Sequence, residues 1–269
     1  MRPSYRPVLL LGMAVAAVTI LEAPAHAASR FRLGAKVWST RASGVVYSMQ
    51  NGTRTGAVDL GNDLAMGRHL NGGGYFVWRH DNPYLPDVRL GYDHVMTDGD
   101  TRLAENVTWD GTTYRASGRI HSQAELKSGR VVLFWNPVDN PVLDLRTGIE
   151  ARWVSLNFPL SGTATRTSPA PARTYERSAS GGGVSWLPLV NLGLTFHLPA
   201  GLDLVAAGSY LRYAGNYVFD SHAGLDYRVM GLVLSAGWRR LRLHLDDSSF
   251  SVNGDVEFKG VYAGLGLSF

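Results

Sequence analysis

The chain has 269 residues, 45% of them hydrophobic, with 26 Lys and Arg against 22 Asp and Glu and no cysteine. The missing cysteine excludes a disulfide framework and any thiolate metal site. The balance of +4 is too mild to argue for a nucleic-acid partner.

The first element is an export signal. Arg2 and Arg6 form a basic start, Val8 to Leu21 is apolar, and Ala25-His26-Ala27 offers small residues where a signal peptidase cuts. The apolar run holds about fourteen residues, short of the roughly 20 that a spanning helix needs. Residues 1–27 are therefore expected to be a signal peptide cleaved near Ala27/Ala28, leaving one domain over residues 28–269. Removing Arg2, Arg6 and Glu22 leaves 24 basic and 21 acidic residues, a net +3.

Beyond the signal the chain alternates with period two, the pattern of strands. Phe31, Leu33, Ala35 and Val37 oppose Arg32, Gly34 and Lys36, and Val88, Leu90 and Tyr92 face away from Arg89, Gly91 and Asp93. The longest example sets Leu143, Leu145, Thr147, Ile149, Ala151 and Trp153 against Asp144, Arg146, Gly148, Glu150 and Arg152. Val190 to Leu198 alternates likewise, and Ala223, Leu225, Tyr227 and Val229 oppose Gly224, Asp226 and Arg228. The polar face mixes charges with glycines in mid-strand. A soluble sandwich also alternates, but its solvated face usually carries Thr, Ser and Lys; a barrel in lipid turns its apolar face outward and its polar face inward.

Turn chemistry divides the chain. Pro83 to Pro86, Asp139-Asn140 between Pro137 and Pro141, Pro199-Ala200-Gly201 and Met230-Gly231 read as short periplasmic turns. Polar stretches near 40–71, 98–117, 158–183, 214–221 and 246–254 read as extracellular loops. The strands between them fall near 30–39, 72–81, 87–97, 118–136, 142–157, 184–198, 202–213, 222–229, 232–245 and 255–269. This is an all-β, antiparallel, up-and-down transmembrane barrel of about ten strands, with eight or twelve as alternatives. Three stretches fit less cleanly. Arg130 to Asn136 and Leu202 to Tyr213 carry apolar residues in both phases. Arg240 and Arg242 fall on the face of Leu232 to Trp238, which a bulge near Arg239 would repair.

The chain ends on a zigzag of Val261, Ala263, Leu265, Leu267 and Phe269, the form in which barrel-assembly machinery reads a terminal strand. With Asp63-Leu64, Tyr75 to Pro86, Leu133 to Asn140 and Gly260 to Gly266, the chain resembles an uncharacterised family of proteobacterial outer-membrane β-barrel proteins. The resemblance implies fold and location, and no activity.

Asp93-His94, His80-Asp81, His121-Ser122 and Ser221-His222 offer catalytic residue types side by side, but neighbours on a strand point to opposite faces. Asp98-Gly99-Asp100 and Asp246-Asp247 offer oxygen ligands for a divalent cation, but both sit at predicted extracellular strand ends, where acidic turns are common. The chain is read as a non-enzyme with no cofactor and no metal. Its best functional material is an inward charge network of Arg32, Lys36, Arg89, Asp93, Asp144, Arg146, Glu150, Arg152, Asp226 and Arg228. Asp144 to Arg152 form a row on one strand, with Arg89 and Asp93 expected as partners on a neighbour. Two functions compete: a structural or surface-interacting barrel acting through its extracellular loops, and a narrow, slightly anion-preferring solute channel. An outer-membrane hydrolase is a third, weaker reading. The expected partners are outer-membrane lipid and lipopolysaccharide, with the assembly machinery and periplasmic chaperones during biogenesis; the barrel is expected to be monomeric.

Overall fold

The computed structural model describes residues 30–50, 53–80, 82, 84–102, 107–109, 112–114, 119–165, 174–213, 215–246 and 252–269. The expected signal peptide and its cleavage site lie outside them. So do Asp81 and Asp247.

Among the described residues thirteen strands follow in order: β1 (Phe31–Gln50), β2 (Thr53–Asp59), β3 (Arg68–Trp78), β4 (Asp87–Arg102), β5 (Val107–Trp109), β6 (Thr112–Tyr114), β7 (Arg119–Asp139), β8 (Leu143–Thr165), β9 (Thr174–Leu198), β10 (Leu202–Tyr213), β11 (Asn216–Val229), β12 (Leu232–Leu245) and β13 (Val252–Ser268). Ten of them pair antiparallel in the order β8-β7-β4-β3-β1-β13-β12-β11-β10-β9, and β9 pairs with β8 again, which makes the order a ring. The strand β2 pairs with β1, and the short β5–β6 hairpin touches the ring at β8; all three lie at the end of the long connections, the end that faces outward in such barrels. The fold is thus a closed, ten-stranded antiparallel barrel.

The expected periplasmic turns lie where proline, asparagine and glycine set them. Asn140 Oδ1 accepts hydrogen bonds from Val142 N and Leu143 N at 3.0 and 2.9 Å, holding the β7–β8 turn. Met230 and Gly231 both take positive φ, 49° and 79°, as a two-residue hairpin of primed type requires.

The extracellular ends differ from expectation. β1 runs to Gln50, β8 to Thr165, and β9 starts at Thr174, so these strands continue well past the lipid. The stretch 214–221, expected as a long loop, is a tight connection from Tyr213 to Asn216 with residues 216–221 already in β11. No bulge interrupts β12: it pairs without a shift against β11 over Leu232 to His244 and against β13 over Leu232 to Leu245. Arg240 and Arg242 do point outward, where they meet Glu257 and Asp255 on β13. They stand at the outer edge of the lipid, each beside its acid, which removes the need for a bulge.

The outer surface explains that boundary. Leu33, Val37, Leu90, Ile149, Val190, Leu192, Leu225, Leu234, Val261 and Leu265 are large apolar side chains left exposed. A patch this continuous is the face that lipid covers. Aromatic residues edge it: Tyr92, Trp186, Tyr210 and Trp238 toward the outside, and Trp78, Trp135, Tyr227 and Phe269 toward the periplasm. Phe219 and Tyr227 mark the two edges on one strand, about 26 Å apart along it. Tilted as barrel strands are, that spans roughly 20 Å of membrane.

The barrel closes where the termini meet. Phe31 N donates to Phe269 O at 2.9 Å, Phe269 N donates to Phe31 O at 3.0 Å, and the two rings lie 5.8 Å apart. Deleting Phe269 removes both of these bonds and the ring contact at the seam. The deletion is expected to lower the folded, heat-modifiable fraction on gels; an unchanged fraction would show that the terminal residue does not guide assembly.

Candidate functional site

Because side chains alternate, each of the ten ring strands puts one residue in two into the lumen, and the lumen has three layers.

The middle layer is a cluster of ion pairs. Arg239 on β12 places Nη1 and Nη2 on the two oxygens of Asp93 at 2.8 and 2.9 Å. It also places Nε and Nη2 on those of Asp220 at 3.0 and 2.9 Å. Arg130 bridges the same two carboxylates at 3.2 and 3.3 Å. Arg152 reaches Asp220 at 2.8 Å and Glu150 at 2.5 Å. The second oxygen of Glu150 accepts a hydrogen bond from the Ser209 hydroxyl at 2.5 Å and one from Asn191 Nδ2 at 3.4 Å. Three guanidiniums thus face three carboxylates, drawn from β4, β7, β8, β11 and β12. The side chains of Arg152 and Glu150 are each 1% exposed, so the layer excludes water at its centre. Small wall residues make room for it: a Cβ on Gly91 would meet Arg130 Nε at 2.6 Å.

Above this layer, toward the outside, the lumen is apolar. Ala42, Ile120, Ala124, Leu126, Phe158, Leu160, Leu241, Leu243 and Phe258 point inward and are buried. The segment after β2 folds into the mouth and adds Leu60, Leu64 and Met66, while β5 adds Trp109. The inserted turn is fixed by its polar residues. Asp59 Oδ1 accepts Gly61 N and Asn62 N, both at 2.8 Å, and Asp63 Oδ2 accepts Asp59 N at 2.8 Å. Leu60 N donates to Gly44 O, Met66 N to Leu60 O and Gly67 N to Asp98 O. At Gly99 a Cβ would stand 2.1 Å from Leu64 O, so only glycine lets the turn pack against β4. Asp63-Leu64 thereby has a physical role: one residue pins the turn and the next fills the mouth.

Below the cluster, toward the periplasm, the lumen is polar and cationic. Arg32, Lys36, Arg89, Arg146 and Arg228 line a cavity of about 70 Å³ together with Asp226, His222, Tyr75 and Tyr262. Arg228 lies 2.6 Å from Asp203, which His197 also meets at 2.7 Å. Arg79 meets Asp144 at 3.2 Å. Arg32 stands 4.0 Å from Asp226, and Arg146 stands 4.0 Å from Asp144. Toward β3, β4 and β7, a small apolar group of Val77, Val132 and Phe134 fills the wall side.

The ten charges read from the sequence all point inward, but they divide between two layers. Asp93, Glu150 and Arg152 lie in the central cluster; Arg32, Lys36, Arg89, Asp144, Arg146, Asp226 and Arg228 lie below it. The expected pairing of the β8 row with Arg89 and Asp93 does not occur. Glu150 pairs with Arg152 two residues along its own strand, Asp93 pairs with Arg239 and Arg130, and Arg89 meets no carboxylate among the described residues. Sequence reasoning missed Arg130, Asp203, Asp220 and Arg239. Asp220 fell in a stretch read as loop, and the other three fell in the strands whose phases fitted least well.

The paired candidates for catalysis separate across the wall. Asp93 and Ser122 face in, whereas His94 and His121 face out and meet Glu125 at 2.8 Å and Asp100 at 3.1 Å. Ser122 Oγ donates to Gly99 O at 3.1 Å, bracing the inserted turn rather than meeting a histidine. His222 faces the cavity while Ser221 faces out. His80 Nε2 donates to Pro86 O, 2.9 Å away, inside the β3–β4 connection. Asp98 is taken by His69 at 3.1 Å. Among the described residues no group of three or more potential ligands could hold a metal ion.

A belt of lipid-facing residues, aromatic edges and a closed ring of ten strands define the class: an outer-membrane β-barrel. No protein-family model matches the chain, and no curated protein does. Among solved structures it is similar to the outer membrane protease OmpT from Escherichia coli, with 10% identity, 89% of this chain and 96% of that one covered, and a TM-score of 0.54. The toluene transporter TodX from P. putida matches at 10% identity over 90% of this chain and 91% of that one, with a TM-score of 0.39. Ail, the attachment invasion locus protein of Yersinia pestis, matches at 10% identity over 88% and 99%, with a TM-score of 0.33. The likeness to OmpT establishes the barrel fold. The family resemblance drawn from motifs has no matching family model behind it.

Proposed function

We propose that the chain is an exported, monomeric outer-membrane barrel with a sealed lumen, which works through the surface it presents outside the membrane. The observation that carries this reading is the filling of the lumen by two layers in series. An ion crossing the barrel meets the neutral cluster around Arg239 and Asp220 and then the apolar layer capped by Leu60, Leu64, Met66 and Trp109. Displacing either layer costs far more than thermal energy, which weighs against the channel reading. Lipopolysaccharide at the outer wall and the assembly machinery at the terminal strand are the partners this role implies.

A hydrolase built like the Escherichia coli neighbour needs reacting groups that converge on an open cleft. The His–acid pairs His94–Glu125 and His121–Asp100 instead lie on the outer wall, His197–Asp203 is tied to Arg228 in the periplasmic half, and apolar side chains occupy the mouth. These placements support the non-enzymatic reading.

Planar bilayers test the proposal. Folded protein is expected to give no unitary currents in molar potassium chloride at moderate voltages. Steady, reproducible single-channel steps would overturn the sealed-lumen reading in favour of the narrow channel.

A further inference from the structure

We propose that the periplasmic half of the lumen is a binding site for one compact oxyanion of the phosphate type. The site faces the opposite side from the surface role above, and it rests on that reading only in having a single entrance.

Charge is the first argument. Among the described residues, this half of the lumen holds six cationic side chains, Arg32, Lys36, Arg79, Arg89, Arg146 and Arg228. Four carboxylates face them: Asp87, Asp144, Asp203 and Asp226. Asp87 is taken by the His80 amide and by Asn136 Nδ2, each at 3.1 Å. Asp144 and Asp203 are engaged by Arg79 and Arg228 near the rim. What remains is a group of cations with Asp226 directly among them, since the cavity's other carboxylate, Asp93, is held by Arg239 and Arg130. The central cluster cannot compensate, since its three arginines already match its three acids.

The second argument is unmet bonding. Lys36 and Arg89 form no ion pair among the described residues. Lys36 Nζ rests over the rings of Tyr262 and Tyr75 at 4.7 and 5.4 Å, and the Arg89 guanidinium lies 5.8 Å from the Tyr75 ring. Arg89 Nε and Arg146 Nε are buried with no hydrogen-bond partner. Buried cationic groups left in this state are costly, and a bound anion relieves several at once. Guanidinium forks with an added ammonium suit a tetrahedral oxyanion better than a monatomic ion.

Space and access agree. The cavity of about 70 Å³ is several times the ~10–15 Å³ that admits one water, room for a single small anion. Side-chain exposure falls from 43% at Arg228 to 22% at Arg32, 11% at Arg146 and 1% at Arg152, so the entrance is periplasmic and the floor is the ion-pair cluster.

The test uses the whole barrel folded in zwitterionic detergent, titrated with inorganic phosphate against chloride at equal ionic strength. Calorimetry is expected to show one saturable site for phosphate. Because the chain has no cysteine, Ser235→Cys places a lone thiol on the cavity wall, and phosphate should slow its labelling by a small thiol reagent about tenfold or more. Lys36→Met with Arg89→Met should weaken phosphate binding at least tenfold while the heat-modifiable gel shift persists, since neither side chain holds an ion pair. Should the double variant not fold, Lys36→Met alone is expected to weaken binding measurably. Absence of saturable binding, equal protection by chloride, or full binding by the folded variants would each overturn the site. None of these results bears on conductance, so failure here and failure of the sealed-lumen reading remain distinct.

Discussion

Asp220→Ala is expected to cost the folded barrel about 3–5 kcal/mol, the penalty for stranding buried charge. Asp220 is the one carboxylate that meets all three central guanidiniums: Arg239, Arg130 and Arg152. Its removal leaves three arginines sharing Asp93 and Glu150 in a layer where water cannot follow. The loss would be read as a shifted midpoint in urea unfolding, with the gel shift as a second probe. The comparison is Asp255→Ala, which breaks a pair with Arg242 on the outer wall, where the two side chains are 34% and 39% exposed. An exposed pair is worth about 1 kcal/mol or less, so the two aspartates should differ severalfold. A loss at Asp220 as small as that at Asp255 would mean that water reaches the cluster and that the central seal is not dry.

The second large effect separates lipid from water on one strand. Ile149 and Asn157 share the outer face of β8, eight residues apart, and both are exposed. Ile149 lies in the apolar belt; Asn157 stands past Trp153, above its outer edge. Ile149→Arg should therefore cost about 2–4 kcal/mol in a phospholipid bilayer, whereas Asn157→Arg should cost about 0–1 kcal/mol. Reversible unfolding from vesicles measures both. Equal costs at the two positions would contradict the placement of the membrane edge.

The same boundary decides what could be read from the sequence. Leu143 to Trp153 was legible because the whole run lies within lipid, where one face must be apolar and the lumen side is charged. β12 was not, because it crosses the edge. Leu232, Leu234, Ala236 and Trp238 face lipid, and beyond them the apolar residues switch to Leu241, Leu243 and Leu245, which face inward. Outside the membrane the environments exchange: water bathes the wall and an apolar core fills the lumen. A reading that holds one face apolar throughout sees this as a slip and invents a bulge. The turn carrying Leu60, Leu64 and Met66 escaped for another reason, since three apolar residues in a polar stretch have no period. The lumen charges were legible as facing inward, but not as pairs. Arg239 and Asp93 lie 146 residues apart, and only the curvature of the closed ring brings them together.

That separation bears on how the molecule is made. In an open sheet the inward face of β4, β8, β11 and β12 lies against water, where its arginines and aspartates are solvated separately at little cost. Their pairing across the lumen requires the wall to curve fully, which is the moment when β1 meets β13. Loss of solvent from the charges and closure of the seam are thus one kinetic event. A half-finished sheet remains hydrophilic on one side, and it has no stable resting place in the bilayer until its last strand docks.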